Sequence, residues 1–82
     1  MNVLKEIRLA AEKCGRGHTR HLRGSSDVSA QIVRLRVVQF DEDPSAYVLY
    51  FDEHGNELND LCFGDVERAI EHIQWEFEVK VD

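Results

Sequence analysis

Residues 30–51, AQIVRLRVVQFDEDPSAYVLYF, decide the fold, because they contain two apolar runs separated by an acidic turn. In the first run, apolar residues alternate with Arg34 and Arg36, which is the period of a strand that turns one face to the core. Pro44 ends this pattern, since proline forces the residue before it into an extended conformation. The second run, residues 46–51, is apolar on both faces, which is typical of a strand inside a sheet. The two runs are therefore predicted to be neighbouring strands.

The C-terminal half extends this hairpin into a meander followed by a helix. Residues 52–56 are predicted to form a hairpin turn, in which Gly55 supplies the positive φ that other residues resist. A third strand over residues 58–63 is more polar, as expected at the edge of a sheet. Asp65 then caps a helix, and one stripe of it is predicted to pack on the sheet: Val66, Ala69, Ile70, Ile73 and Phe77. The alternating tail, residues 78–82, favours a further short strand.

The N-terminal part predicts a helix over residues 3–14, because its apolar residues recur at helical spacing. These residues are Val3, Leu4, Ile7, Ala10, Ala11 and Cys14. Asn2 is the predicted cap and Gly15 the left-handed stop. Residues 15–29 show no periodicity and are predicted to form a loop of about 15 residues, a length typical of functional or mobile loops. The sequence therefore predicts a single α+β domain over residues 1–82, with the order helix, three-stranded antiparallel meander, helix in two layers.

The composition excludes several classes of protein. The chain has 82 residues, which is enough for one domain only. It contains no apolar run near the roughly 20 residues of a membrane span, so no membrane association is predicted. Lys5, Glu6 and Arg8 interrupt the apolar stretch that a signal peptide needs, so a cytoplasmic location is predicted. Two cysteines, Cys14 and Cys62, are too few for a disulfide scaffold and are predicted to be reduced thiols.

The net charge of −6 hides a division of the chain. Residues 1–36 carry eight basic and three acidic residues, a net of +5. Residues 37–82 carry two basic and thirteen acidic residues, a net of −11. An asymmetry of this size indicates a surface used for interaction. The alternative is that the two halves neutralise each other across the folded domain.

Few residues have the side-chain types and the spacing that metal binding or catalysis requires. Cys14, His18 and His21 offer one thiolate and two imidazoles to a zinc ion, but no fourth ligand follows from the spacing. Cys14 also lies on the apolar stripe of the predicted helix, where a thiol behaves as a small buried hydrophobe. No catalytic motif occurs, and no acid is paired with a positioned base. We therefore predict no metal site, no cofactor and no enzymatic activity.

Arg16, Arg20 and Arg23 lie among glycines in the predicted loop, and exposed guanidinium groups can bind phosphate. This favours, as an alternative function, a nucleic-acid or nucleotide binder that uses residues 15–24. The acidic remainder of the chain would repel a polyanion, however. A solvated loop without a ligand is the simpler interpretation.

Trp75 is the most informative single residue. On a helical wheel it lies opposite the stripe that is predicted to pack on the sheet. Tryptophan is enriched among the few residues that dominate protein interfaces, so Trp75 is a candidate anchor for a partner. The alternative is that the first helix or the tail covers the ring, since small domains rarely leave so large a side chain in water.

Residues 51–60 (FDEHGNELND), 65–69 (DVERA) and 75–79 (WEFEV) resemble a group of small bacterial proteins, some of which are suspected immunity proteins. Those proteins end in a strand, an Asp-x-x-Gly-Asn turn, a second strand and a helix. Residues 64–69 (GDVERA) also resemble the strand-to-helix junction of HicB-type antitoxins, a β-β-β-α family that blocks a small basic RNA-cutting toxin. The chain departs from that family in its predicted N-terminal helix, and it lacks the Pro-rich turn between strands and the C-terminal DNA-binding module. The resemblance implies a small protein that binds another protein, and it carries no catalytic residue over.

Together these observations predict a small protein-binding module of immunity or antitoxin type, which occludes a basic partner protein with its acidic C-terminal half. Acidic residues would guide the encounter, and Trp75 or Tyr50 would anchor it. The predicted partner-binding residues are Asp41, Glu42, Asp43, Tyr50, Asp52, Glu53, Asp60, Glu71 and Trp75. A further alternative is a homodimer that pairs its edge strand or tail and has no other partner.

Overall fold

The fold is built from an antiparallel sheet and a C-terminal helix. The computed structural model describes residues 1–81. Within this range the chain forms, in order, β1 (Asn2–Arg8), β2 (Leu22–Arg23), β3 (Ser26–Asp27), β4 (Arg34–Gln39), β5 (Ala46–Phe51), β6 (Glu57–Phe63) and α1 (Val66–Phe77). Four strands form a sheet in the order β1-β4-β5-β6, and β2 and β3 form a separate hairpin. Short 3-10 helices at Ala11–Lys13 and Ser29–Gln31 precede and follow this hairpin.

The prediction of an N-terminal helix is wrong, and so is the order helix, meander, helix that depended on it. Residues 2–8 instead form β1, which pairs antiparallel with β4 and places Ile7 opposite Leu35. The apolar residues at helical spacing were predicted to form one buried face, but only part of them is buried. Val3 and Leu4 are exposed, whereas Ile7 packs against the core. Pairing with β1 satisfies backbone groups along an edge of β4 that would otherwise be open, and this tertiary gain outweighs local helix propensity. The domain is therefore sheet-rich, with one C-terminal helix in its described part.

The C-terminal elements follow the sequence pattern more closely. β5 has the predicted bounds and lies between β4 and β6, and β6 is an edge strand of the sheet. α1 begins after Asp65, whose carboxylate accepts a hydrogen bond from the backbone N–H of Arg68 at 2.8 Å. The tail differs from the prediction, because residues 79–81 form no strand and Asp82 lies outside the described residues. No helix within residues 1–81 combines the length and the apolar character that crossing a membrane requires.

One face of the sheet carries the core. α1 packs on this face with Ala69, Ile73 and Phe77. The inward residues of β4 and β5 alternate along each strand and are fully buried: Leu35, Val37, Val48 and Tyr50. Residues outside the sheet and the helix extend the same core: Leu9, Val28 and Ile32. The segment between β1 and β4 therefore packs on the same side of the sheet as α1.

The opposite face of the sheet, which we call the open face, carries the alternate residues of the same strands. Arg34 and Arg36 project here, and their guanidinium groups lie over the Phe51 ring at 5.2 and 5.0 Å from its centroid. The Glu6 carboxylate lies 3.3 Å from Arg34 and 3.5 Å from Arg36. Strand pairing with Arg34 places Arg8 on the same face. The open face is thus a mixed surface of arginine, carboxylate and aromatic groups.

Residues 15–29, predicted as a loop, contain the β2–β3 hairpin and pack against the core. Gly15 has a φ of 71°, and a Cβ at this position would lie 2.8 Å from the Ala30 Cα atom. Glycine is therefore needed there both for the left-handed backbone and for the close approach. The backbone N–H of Val28 donates to the His21 carbonyl at 2.8 Å and closes the hairpin. The path of this segment is specified by packing and hydrogen bonds.

Candidate functional site

A cluster of buried and partly buried polar side chains lies between β5, β6, α1 and the segment before β2. Its members are His21, Tyr50, Asn59, His72 and Glu76, and we call it the Glu76 cluster. Glu76 is 0% exposed and His21 is 1% exposed. Burial of a carboxylate is unfavourable unless hydrogen bonds replace its water. The contacts of Glu76 therefore decide whether the core tolerates it.

The Glu76 carboxylate has hydrogen-bond partners at both oxygens. His21 Nε2 donates to Oε2 at 2.6 Å, and the Tyr50 hydroxyl donates to Oε1 at 2.7 Å. His72 Nε2 lies 3.1 Å from the same Oε1. Asn59 Nδ2 donates to His21 Nδ1 at 3.0 Å, so the His21 ring presents the proton on Nε2 to Glu76. These contacts compensate the carboxylate for the water that it has lost.

Within the cluster, the Tyr50 hydroxyl acts as a hydrogen-bond donor to the Glu76 carboxylate. Burial raises the pKa of Tyr50 above its usual value, and the Glu76 carboxylate raises it further, so the hydroxyl stays protonated and donates. Two cavities, of about 330 and 280 Å³, lie beside the β5–β6 turn and are not lined by the cluster. We interpret the cluster as the contact that holds the segment containing His21 onto α1.

A backbone hydrogen bond also holds this segment close to α1, because the N–H of His18 donates to the Glu76 carbonyl at 2.8 Å. The backbone N–H of His21 donates instead to the Ser29 hydroxyl at 2.7 Å, which ties it to the chain that follows the β2–β3 hairpin. A Cβ on Gly17 would lie 2.9 Å from Phe77 Cε1 and 3.1 Å from Glu76 Cγ. A side chain at Gly17 would therefore push the segment away from the helix.

Sequence reasoning missed the Glu76 cluster, although one signal was present. Glu76 lies seven residues after Ala69 and three after Ile73, so a helical wheel places it within the buried stripe. A carboxylate in such a stripe indicates a buried partner. His21 and Tyr50 are 55 and 26 residues away along the chain, and no local pattern identifies them as those partners.

The fold divides the predicted acidic contact surface. Asp41, Glu42 and Asp43 lie in the exposed turn between β4 and β5. Asp52 and Glu53 lie in the turn between β5 and β6, at the opposite end of the sheet. Since β5 has six residues, the two turns are separated by roughly 20 Å. The structure does not bring the two acidic turns together into one patch.

The other predicted contact residues lie in three different environments. Tyr50 is fully buried beneath α1, so its ring is not available at the surface, which corrects its predicted role as an anchor. Asp60 is exposed on β6, opposite Leu49. Glu71 and Trp75 are both exposed on α1. Of these four residues, only Glu71 and Trp75 are exposed on the same helix.

Asp52 builds its own turn. Its carboxylate accepts hydrogen bonds from the backbone N–H groups of Asn56, at 2.8 Å, and His54, at 2.9 Å. The bond from Asn56 is the main cause that lowers the pKa of Asp52 below the ordinary value of 3.8, and the bond from His54 acts in the same direction. The presence of an aspartate at position 52 is therefore explained by the hydrogen bonds that this turn requires.

Asp52→Asn is expected to remove part of the acid sensitivity of the fold. A carboxyl whose pKa is lowered by folding stabilises the native state above its unfolded value of 3.8, and this contribution is lost as the pH falls through the lower native value. The difference in unfolding free energy between wild type and variant, measured with urea, should shrink as the solution is acidified. Asp41→Asn is the control in the other turn. A difference for Asp52→Asn that is constant with pH would contradict the prediction.

The loop arginines are partly engaged with the rest of the chain. Arg20 Nε lies 3.4 Å from the Asp27 carboxylate, and Arg23 Nη1 donates to the Glu57 carbonyl at 3.2 Å. Arg16 is exposed. A phosphate would compete with existing contacts at two of these three residues.

Cys14, His18 and His21 have separate partners. The Cys14 thiol lies 3.5 Å from the Ala10 carbonyl oxygen and packs against the core, whereas His21 binds Glu76 inside the cluster. His18 is half-exposed and contacts the helix from outside. Among residues 1–81, no three side chains of the metal-binding types lie close enough to hold an ion.

Trp75 is exposed on the outer surface of α1, with 57% of its area accessible. The rings of His18 and His72 lie 5.3 and 5.6 Å from the Trp75 ring. His18 Nε2 also lies 3.2 Å from the Glu78 carboxylate, which brings that carboxylate to the same surface. Glu71 lies one helical turn before Trp75 and therefore on the same ridge. We call Glu71, Trp75 and Glu78, together with the two histidines, the Trp75 face.

No family model, no curated protein and no solved structure matches this chain.

Proposed function

We propose that this chain is a protein-binding module that captures a basic partner protein through the Trp75 face. The observation that carries the proposal is the exposed Trp75 ring, which has the carboxylates of Glu71 and Glu78 on the same surface. Tryptophan is enriched among the few residues that supply most of the binding energy of protein interfaces. Binding would act by covering the partner's surface and requires no catalytic step in this chain.

The composition of the Trp75 face favours a cationic side chain as the group that is bound. A lysine or arginine placed over the indole ring gains cation–π attraction. The negatively charged carboxylates of Glu71 and Glu78 also attract such a cationic side chain. The net charge of −6 also speeds the encounter with a basic protein, and this advantage is screened by salt.

The Glu76 cluster supports the proposal because it connects the core to the Trp75 face through His72. His72 contacts the buried Glu76 carboxylate at 3.1 Å and also contacts the Trp75 ring. Glu76 precedes Phe77 in α1, and both are buried against the sheet. A face held in place before binding loses less conformational entropy when the partner arrives.

The resemblance to immunity proteins and HicB-type antitoxins suggests a narrower form of this proposal, in which the partner is a small basic toxin. A neighbouring gene whose product arrests growth when expressed alone would supply the candidate. Co-expression of this chain should restore growth, and co-expression of the Trp75→Ala variant should not. Growth arrest that both forms relieve equally would contradict inhibition through the Trp75 face.

Trp75→Ala is expected to weaken partner binding by roughly 30-fold or more, because truncation of an interface tryptophan removes about 2 kcal/mol or more of binding energy. The immobilised wild-type chain would capture the partner from a lysate of the native host. Calorimetric titration of the identified protein would then give the dissociation constants for wild type and variant.

Leu22→Ala is the matched control for this experiment. Leu22 is 59% exposed, similar to Trp75, but lies on β2 outside the Trp75 face. Its truncation should leave the dissociation constant unchanged, whereas Glu71→Lys should raise it and reduce its dependence on salt. Equal binding by Trp75→Ala and Leu22→Ala would show that another surface is used.

A further inference from the structure

Within the described residues 1–81, β1 is an edge strand whose outer edge meets no other strand. On its inner side, Ile7 faces Leu35, and the backbone N–H of Leu9 donates to the Val33 carbonyl at 2.9 Å. Backbone groups of successive residues in an antiparallel strand point to opposite edges. The N–H and C=O groups of Glu6 and Arg8 therefore point outward, where they can pair with another strand.

On the open face, the Arg8 side chain of β1 has no carboxylate of the described residues beside it. Strand register places Arg8 directly opposite Arg34, and like charges in this position repel. The Glu6 carboxylate binds Arg34 and Arg36, at 3.3 and 3.5 Å. Arg8 is exposed and has no ion-pair partner within residues 1–81. A carboxylate supplied by a strand at the open edge of β1 would give Arg8 the ion-pair partner that it lacks.

We propose that two copies of this chain pair antiparallel through β1, with the two-fold axis at Ile7. Side chains that lie opposite each other in a sheet are on the same face. The two-fold axis must therefore pass beside one residue, which then lies opposite its own copy, because an axis between two residues would pair side chains of opposite faces. Centring on Lys5, Glu6 or Arg8 places identical charges opposite each other. Centring on Ile7 places Ile7 opposite its own copy, and places Glu6 of each copy opposite Arg8 of the other.

This pairing joins the two sheets into one of eight strands. It supplies Arg8 with the missing carboxylate and covers the half-buried Ile7 side chain with its own copy. The outward backbone groups of Glu6 and Arg8 gain partners as well. The Trp75 face remains free, because it lies on α1, which packs against β4, β5 and β6. Dimer formation is therefore independent of the proposed capture of a basic protein.

Sedimentation velocity over a wide range of protein concentration tests the proposal. The wild-type chain should show a monomer–dimer equilibrium, and amide hydrogen exchange of Glu6 and Arg8 should slow as the dimer forms. Arg8→Glu places two carboxylates opposite each other at both charge pairs and should raise the dimer dissociation constant by roughly tenfold or more. Arg16→Glu makes the same change of charge at an exposed loop position and should leave the constant unchanged.

Three results would overturn the proposal. One is a wild-type chain that stays monomeric at every concentration. Another is a dimer that protects the amides of β6 instead of those of Glu6 and Arg8. The third is an Arg8→Glu dimer as stable as the wild type. Arg8→Gln, which removes the charge without reversing it, should give an intermediate loss and serves if the thermal melt shows that Arg8→Glu is misfolded.

Discussion

Glu76→Ala is expected to lower the free energy of unfolding by about 3–5 kcal/mol, the range for removing one member of a buried charged network. The Glu76 carboxylate is 0% exposed and accepts from His21 and Tyr50 at 2.6 and 2.7 Å. Its removal leaves these donors buried without an acceptor and opens a cavity beside Phe77. Urea unfolding followed by circular dichroism measures the loss.

Two variants make this result specific to the cluster. Glu71→Ala removes an exposed carboxylate from the same helix and should change stability by no more than about 0.5 kcal/mol. Glu76→Gln keeps the shape and one acceptor oxygen, so it should be less damaging than Glu76→Ala. Equal losses for Glu71→Ala and Glu76→Ala would show that the cluster does not stabilise the core.

His21→Ala is expected to have an effect of similar size, about 3–5 kcal/mol, because it leaves the buried Glu76 carboxylate without its shortest hydrogen bond. The variant also loses the packing of the His21 ring against Tyr50, whose ring centroids lie 4.2 Å apart. The same urea experiment applies. His54→Ala is the control, because His54 is an exposed turn residue and its loss should be nearly neutral.

The double variant, His21→Ala with Glu76→Ala, tests whether the two side chains stabilise the fold jointly or independently. Since His21 and Glu76 stabilise each other, the combined loss should be smaller than the sum of the single losses by about 0.5–3 kcal/mol. Simple additivity would contradict the direct coupling that the 2.6 Å contact implies.

These two predictions also bear on the proposed binding function. His72 contacts Glu76 on one side and the Trp75 ring on the other. Loss of the cluster should therefore loosen the Trp75 face even in molecules that remain folded. Partner binding by Glu76→Gln, the milder variant, would show whether rigidity of this face contributes to affinity.

Much of the C-terminal half was predictable, because its signals are local. Alternation identified β5 with its bounds, and Asp65 marked the beginning of α1 through its capping side chain. The helical wheel placed Trp75 opposite the stripe that packs on the sheet, whereas the exposure of its ring is shown by the structure alone. These features depend on residues a few positions apart, so the chain itself contains the information.

The N-terminal half was not predictable in the same way. Residues 2–8 fit a helical stripe, yet they form β1 because β4 offers an unpaired edge more than twenty residues further along the chain. The predicted loop likewise acquires its path from His21, whose partner Glu76 lies 55 residues away. Contacts at such separations override local propensity and leave no periodic trace in the sequence.

The sequence by itself determined the meander of β4, β5 and β6 and the final helix, since alternation, capping and helical spacing act over short distances. Only the tertiary structure decided that Asp41 and Asp52 lie at opposite ends of the sheet, and that Tyr50 belongs to the core. It also decided that the Trp75 ring is exposed and that Glu76, its neighbour in α1, is buried. The physical reason is that a carboxylate leaves water only where distant donors meet it, and chain topology determines which donors those are.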